Sequence, residues 1–215
     1  MNFVVIDVET ANQHAGSICQ IGIASFRSGQ LSGLWGSLVN PEDFFSAFHQ
    51  SIHGIRQEHV IDAPNWVEVQ CEIRARVERR TLASHTYFDL RAVKSANERY
   101  GLEGLPCSGW LDTCRIARAA WPHLTSHKLT ALAREFGIVY QAHNATEDAR
   151  CAGEILLLAA HATGYTLEEL LRAKGPSFNH KSRRRKESSV PIPTMVSARE
   201  APHVDQVSRG VRGSH

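Results

Sequence analysis

Two carboxylates near the amino terminus stand where an ordinary core would not accept them. Residues 3–6 are apolar and rich in β-branched side chains, which favours a buried strand, and Asp7 and Glu9 follow directly. Side chains alternate across a strand, so both carboxylates point to the same face. Two like charges held so close are unfavourable unless a cation lies between them. The pair indicates either metal ligands or, more simply, a solvent-exposed Glu9 and an Asp7 that caps the next turn.

Three further residues could take part in the same chemistry. Asp89 opens a predicted helix, where the helix dipole alone favours a carboxylate. His143 and Asp148 lie five residues apart on either side of another predicted helix start, so both can face one pocket. A capping box formed by Asn144 and Glu147 would explain those two residues. It leaves His143 and Asp148 without a structural reason.

Taken together, these residues indicate phosphodiester hydrolysis. Four carboxylates would bring a charge of about −4 into one cleft, and two divalent cations would neutralise it while holding the attacking and leaving oxygens of a phosphoryl displacement. Ligation by oxygen alone favours Mg²⁺ or Mn²⁺ over zinc. A histidine outside the ligand set is suited to take a proton from the attacking water, which contributes about 10²–10⁴-fold in rate.

Alternating strands and helices must position this set. Strands are predicted over residues 3–6, 17–26, 31–39, 81–84 and 110–112, and helices over 66–79, 88–100, 113–120, 128–136, 146–163 and 167–172. Ser28 and Gly29 indicate an antiparallel hairpin between the second and third strands, whereas residues 40–65 read as irregular. Asn65 is an expected N-cap, and Gly101 and Gly137 are expected helix terminators. The order predicts an α/β fold with a mixed central β-sheet flanked by helices.

The net charge of +2 hides a division of the chain. Residues 1–172 hold 15 basic and 19 acidic residues, a charge of −4, whereas residues 173–215 hold 9 basic and 3 acidic residues, a charge of +6. From about residue 174 the composition loses helical and strand periodicity. We expect one globular domain over 1–173 and a basic, mostly disordered tail over 174–215. The run Lys181–Lys186 either contacts nucleic-acid phosphates or is a solvated segment.

Composition also excludes several classes of protein. No apolar stretch reaches the roughly 18 residues of a membrane span, and Asp7 and Glu9 interrupt the apolar amino-terminal run, so we expect neither a membrane protein nor a secretory signal. The five cysteines are scattered and lack a CxxC pair, which argues against a disulfide framework and a zinc site. We expect a cytoplasmic protein with reduced, mostly buried thiols.

Three motifs resemble those of the DEDDh 3′-to-5′ exonucleases, the group that includes the epsilon proofreading subunit of bacterial DNA polymerase III. They cover residues 3–10, 84–89 and 143–148, the last matching HxAxxD. Weaker family signatures follow in order at 40–41, 53–55, 62–64, 112–113 and 127–129, so the similarity extends over roughly residues 2–160. The five-residue spacing from His143 to Asp148 places the chain in the histidine subclass.

The resemblance implies a ribonuclease H-like fold and release of nucleoside 5′-monophosphates from the 3′ end of single-stranded DNA or RNA. It implies two Mg²⁺ or Mn²⁺ ions and a general base, His143. The implied metal ligands are Asp7, Glu9, Asp89 and Asp148. The residues implied to lie beside the terminal nucleotide are Thr10, Ala11, His53, Ile55 and Phe88.

Two departures from the family pattern affect substrate contacts. Ser84 and His85 replace the His-Asn of many relatives, so contacts from that loop are not carried over. Residues 10–12 also differ from the usual sequence and resemble stand-alone members more than proofreading subunits. Two alternatives stay open: a non-catalytic nucleic-acid-binding or scaffold module, which a lost catalytic residue would favour although none is lost, and an exonuclease that chiefly processes RNA. The basic tail could contact protein or nucleic acid in each case.

Overall fold

A computed structural model describes residues 1–172, and the predicted tail lies outside the described residues. The strands are β1 (Phe3–Thr10), β2 (Ile18–Arg27), β3 (Gln30–Leu38), β4 (Thr81–Ser84) and β5 (Gly109–Asp112). They form one sheet in the order β3-β2-β1-β4-β5. The first three strands pair antiparallel, and β1, β4 and β5 pair parallel. The predicted hairpin and mixed sheet are confirmed.

Eight helices within residues 1–172 surround the sheet. They are α1 (Ala47–His53), α2 (Gln57–Val60), α3 (Trp66–Val77), α4 (Phe88–Arg99), α5 (Thr113–Ala120), α6 (Leu129–Phe136), α7 (Ala145–Thr163) and α8 (Leu167–Arg172). Asn65 caps α3 as predicted, and Gly137 ends α6 in a left-handed conformation. The irregular segment predicted over 40–65 is wrong, because it contains α1 and α2. Helix α1 buries none of its residues, so it has no apolar periodicity to detect. None of these helices is long and apolar enough to cross a bilayer.

The alternation of β1 divides the core into two layers. Phe3 and Val5 pack in a cluster that includes residues of α5, α6 and α7. Val4 and Ile6 face the other side and pack with residues of α3 and α4. Asp7 and Glu9 continue the odd-numbered face of the strand. Both carboxylates therefore lie on the side of the sheet that α7 covers.

Two glycines let the first turn of α7 lie directly on the sheet. Gly22 and Gly36 are cross-strand partners, and Gly22 also stands opposite Asp7. A Cβ on Gly22 would overlap the backbone of Ala145, and one on Gly36 would overlap the side chain of Thr146. The amide of Ala145 also donates to Gln20 Oε1 at 3.0 Å. The start of α7 is thereby held over β1 and β2.

Candidate active site

The acidic cluster forms where β1 and α7 meet. Asp7 and Glu9 on β1 and Asp148 on α7 each offer an oxygen, and these atoms all lie within 4.8 Å of one another. Strand β1 continues to Thr10, and Glu9 is half-buried within it. The simpler interpretation, with Glu9 beyond the strand in solvent, is therefore wrong. Residues 141 positions apart come together because α7 packs across the sheet.

Asp89 reaches the same cleft from α4. Strand β4 runs parallel to β1, so the start of α4 lies near the carboxyl end of β1. Asp89 is buried in the first turn of α4, and its Oδ1 accepts a hydrogen bond from the amide of Val8 at 3.1 Å. Its role is thus more than a favourable interaction with its own helix dipole. The cleft has a volume of about 280 Å³ and is lined by Asp7, Glu9, Asp89, His143 and Asp148, together with Val8, His85, Thr86, Phe88 and Leu129.

His143 lies at the mouth of the cleft, in the loop before α7. It is exposed, and its φ of 62° is in the left-handed region that non-glycine residues seldom adopt. Asn144 caps α7 as predicted, since its Oδ1 accepts from the amides of Thr146 and Glu147. Glu147 pairs with Arg150 at 2.8 Å instead of closing a capping box. Helix capping therefore places His143 in front of the carboxylates without engaging its ring.

Burial and mutual repulsion make the carboxylates reluctant to ionise. Burial, followed by the charges of Asp148 and Asp89, raises the pKa of Glu9 to about 8. Burial raises the pKa of Asp89 to about 7 and that of Asp148 to about 6, although backbone amides that donate to each oppose the shift. The pKa of Asp7 lies well above its ordinary value, chiefly through burial and then through its acidic neighbours. The cluster needs positive charge before all four groups ionise near neutral pH.

The carboxylate oxygens of the cleft are suitable ligands for a divalent cation. Asp148 Oδ2 is buried and has no hydrogen-bond partner among the described residues. No lysine or arginine of residues 1–172 forms an ion pair with any of the four cleft carboxylates. All the available donors are carboxylate oxygens, which suit Mg²⁺ or Mn²⁺. Asp7, Glu9 and Asp148 are the residues best placed to hold an ion, with Asp89 beside them.

The residues predicted to bind substrate fall into two groups. Phe88 is 39% exposed and lines the cleft beside Asp89. The other four surround the end of β1: His53 Nε2 donates to the carbonyl of Thr10 at 3.1 Å, and its Nδ1 accepts from the amide of Ile55. Ala11 and Ile55 are buried together in a small apolar cluster. Of these five residues, Phe88 alone lies among those lining the described cleft.

No catalytic or binding role is predicted for His85 from the sequence, yet His85 lines the cleft. His85 Nδ1 lies 3.0 Å from Thr113 Oγ1, and its Nε2 lies 2.9 Å from the carbonyl of His127. The carbonyl can only accept, so the ring donates from Nε2 and accepts from the Thr113 hydroxyl. Burial lowers the pKa of His85 to about 4, so the ring is neutral and ties β4 to the start of α5. Its position four residues before Asp89 was the available signal.

The mixed five-stranded sheet flanked by helices is the fold of ribonuclease H-like DEDDh exonucleases. Exonuclease X, solved in complex with 5′ overhanging duplex DNA, superposes with a TM-score of 0.65 at 22% identity, over 80% of this chain and 99% of that one. The nuclease domain of 3′hExo, a DEDDh family member solved bound to rAMP, gives a TM-score of 0.64 at 17% identity, over 74% of this chain and 92% of that one. The predicted fold is confirmed.

The chain belongs to the RNase_T exonuclease family, whose model matches residues 4–156. The 3′-5′ exonuclease DinG of Bacillus subtilis is 31% identical over 160 residues, which is 72% of this chain. The DinG protein of Staphylococcus epidermidis is 29% identical over 161 residues. The matches cover 17% and 18% of those relatives, so the chain corresponds to less than a fifth of their length.

Proposed function

We propose that this protein is a metal-dependent 3′-5′ exonuclease that releases nucleoside 5′-monophosphates from single-stranded DNA or RNA. The observation that carries the proposal is the meeting of Asp7, Glu9 and Asp148 within 4.8 Å in a cleft also lined by Asp89 and His143. Membership of an exonuclease family and the relatives that are 3′-5′ exonucleases support the same activity. The intact set of five residues argues against a non-catalytic module.

The chain's own residues have separate tasks in this proposal. Asp7, Glu9, Asp89 and Asp148 would hold two divalent ions, which when bound neutralise charge on the scissile phosphate and activate a water molecule. His143 accepts a proton from the attacking water, and its exposed position at the mouth of the cleft allows the proton to pass to solvent. The exposed ring of Phe88 provides a face on which the terminal base can stack.

Other parts of the proposal rest on the relatives and on the cysteines. The structural neighbours were solved with DNA and with a ribonucleotide, which supports a nucleic-acid substrate without selecting its sugar. The oxygen-only ligand set supports Mg²⁺ or Mn²⁺ equally. All five cysteines are free thiols, which supports the cytoplasmic location expected from the sequence.

The test is an assay of the full chain on 3′-labelled single- and double-stranded DNA and RNA with Mg²⁺, Mn²⁺ or EDTA. We expect release of labelled 5′-monophosphate with either metal and none in EDTA. The ratio of rates on DNA and RNA then identifies the preferred substrate. Binding of oligonucleotide without any product in either metal would favour the non-catalytic module instead.

A further inference from the structure

A second charged cleft lies at the opposite end of the sheet from the carboxylates. It has a volume of about 520 Å³ and is lined by Asn2, Arg27, Arg79, Arg80, Thr81 and Ser108, a set we call the arginine cleft. Asn2 precedes β1, Arg27 ends β2, Thr81 begins β4 and Ser108 precedes β5. Because β1 and β4 are parallel, both strands begin at the arginine cleft and end at the acidic cleft. Asn2 and Asp7 are five positions apart along the extended chain, about 17 Å at ~3.3 Å per residue.

The side chains of the three arginines have no partner in the part of the chain that the structure describes. Within residues 1–172, none of their guanidinium groups forms an ion pair or a side-chain hydrogen bond. Other arginines of the domain behave differently: Arg150, for example, pairs with Glu147 and Glu154. A local concentration of uncompensated positive charge stands out on a domain whose net charge is −4. Such a site attracts an anion.

The backbone at Arg79 carries an unfavourable conformation for an arginine. Its φ is 56°, in the left-handed region that glycine adopts at no steric cost. The turn is held by the amide of Arg79, which donates to the carbonyl of Pro106 at 2.7 Å, and by the amide of Ser108, which donates to the carbonyl of Arg80. A glycine would suit this turn better, so the arginine side chain is not there for stability.

The charge of the segment that follows α8 indicates which kind of anion the arginine cleft binds. Helix α8 ends the described residues at Arg172 and packs on β5, where Leu171 lies against Gly109, next to Ser108 of the arginine cleft. The 43 residues that follow have a net charge of +6, so their charge does not complement that of the cleft. A long polyanion could contact both. Guanidinium groups match phosphate geometry, and the proposed substrate carries a phosphate at every nucleotide.

We propose that the arginine cleft binds backbone phosphates of a nucleic-acid strand away from the 3′ end that occupies the acidic cleft. The pairing with the acidic cleft rests on the proposed exonuclease function, but phosphate binding itself does not. A strand long enough to span both clefts gains contacts that a dinucleotide cannot reach. The arginine cleft therefore favours long substrates without touching the reacting atoms.

The binding test uses a fluorescein-labelled oligothymidylate long enough to span both clefts, in EDTA, so that no hydrolysis is needed. Affinity is measured by fluorescence anisotropy over a range of salt concentrations for the full chain, for Arg79→Gly and for Arg134→Ala. Arg134 is exposed on α6 and lies outside both clefts, so it removes the same charge elsewhere. We expect Arg79→Gly to weaken binding at low salt and to reduce the salt slope by roughly 0.7 for the lost phosphate contact.

The same variants separate binding from folding and from catalysis. Arg79→Gly should melt at or above the wild-type temperature, because glycine relieves the left-handed backbone. With metal present, it should raise the KM for the long strand and leave hydrolysis of a dinucleotide unchanged. Affinity and slope equal to those of Arg134→Ala would overturn the proposal, as would equal weakening of binding to a polyglutamate probe. An inactive wild-type protein would refute the proposed function while leaving the anisotropy result decisive for the arginine cleft.

Discussion

At the scale of single residues, Asp148 adds a further carboxylate to the acidic cleft. This carboxylate increases the repulsion in the metal-free cleft and also supplies an oxygen that can bind a metal ion. Asp148 brings a carboxylate from α7 to within 4.8 Å of two others on β1, and its Oδ2 is buried without a hydrogen-bond partner among the described residues. The hydroxyl of Tyr140, also buried, lies close to this carboxylate without a hydrogen bond of good geometry. A buried acceptor without a partner supports the proposed role of Asp148 as a metal ligand.

Removing one cleft carboxylate should therefore lower activity while the metal-free protein stays folded. We expect Asp7→Ala and Asp148→Ala each to lower nucleotide release by more than the ~10–100-fold typical of outer-shell changes. The metal-free fold should persist, because each variant removes repulsion from its neighbours. Glu147→Gln is the matched control for Asp148, since Glu147 is adjacent but pairs with Arg150. Rates with 3′-labelled DNA and circular dichroism check both parts, and full activity in either alanine variant would contradict the metal-ligand assignment.

The raised pKa of Glu9 predicts how metal-free stability depends on pH. Its pKa is about 8 in the fold and near 4.3 in the unfolded chain, so the native state holds more protons over that interval. Stability contributed by this group is complete below about pH 4 and is lost as pH rises toward 8. In EDTA, Glu9→Gln should lose less stability than wild type between pH 5 and 8, as measured by urea denaturation. Parallel stability profiles for the two proteins would show that Glu9 ionises normally.

At the scale of elements, the site depends on how closely α7 approaches the sheet. The absence of side chains at Gly22 and Gly36 leaves room for the first turn of the helix, which carries Asp148. The amide of Ala145 is in turn held by Gln20 on β2. The position of Asp148, a proposed metal ligand, thus depends on glycines of β2 and β3, two strands that carry none of the cleft carboxylates.

Adding a methyl group at Gly22 should test whether the site depends on the close approach of α7 to the sheet. In Gly22→Ala the new Cβ overlaps the backbone of Ala145, which cannot move without displacing α7. We expect destabilisation of roughly 1–3 kcal/mol and a larger loss of activity than of folded protein. Gly33→Ala is the matched control on β3, because its Cβ would meet no atom within 4 Å. Urea denaturation and nucleotide release test the pair, and similar behaviour of both variants would exclude a close-approach role for Gly22.

Local sequence patterns predicted the helices and strands better than the contacts between residues far apart in the sequence. The strands and six of the eight helices within residues 1–172 follow from apolar periodicity and from caps such as Asn65, whereas α1 buries none of its residues and left no such pattern. The two-residue spacing of Asp7 and Glu9 predicts that both lie on one face of the first strand, and β1 contains both. The hydrogen bonds that hold His85 link residues 28 and 42 positions apart, and no local pattern reports them.

At the scale of the whole molecule, one part of the chain is negatively charged and another is positively charged. The first repels a polyanion and the second attracts it. The described domain has a net charge of −4, which includes the four cleft carboxylates, and residues 173–215 have +6. Bound divalent ions would cancel the repulsion at the acidic cleft. The arginine cleft and the basic segment would then supply attraction elsewhere, with a dependence on ionic strength that the acidic cleft does not share.

Deleting residues 174–215 should weaken substrate binding chiefly at low salt. The deletion removes the basic run Lys181–Lys186, and phosphate contacts of this kind are lost as salt rises. A chain that ends at residue 187 keeps this run and serves as the control. KM for a long single strand, measured at low and high salt, tests the role. An unchanged KM for the full deletion at low salt would assign the segment no part in binding.

The residues that form the acidic cleft lie far apart in the sequence, and this separation affects when the cleft forms during folding. The hydrogen bond from Val8 to Asp89 joins residues 81 positions apart, and the one from Ala145 to Gln20 joins residues 125 apart. Contacts of such separation form late, because long loops must close before they contribute. A nascent chain that lacks α7 carries Asp7, Glu9 and Asp89 but no Asp148 opposite them. The proposed hydrolysis thus begins only after α7 docks, so nascent chains that lack α7 would not degrade nucleic acid at the ribosome.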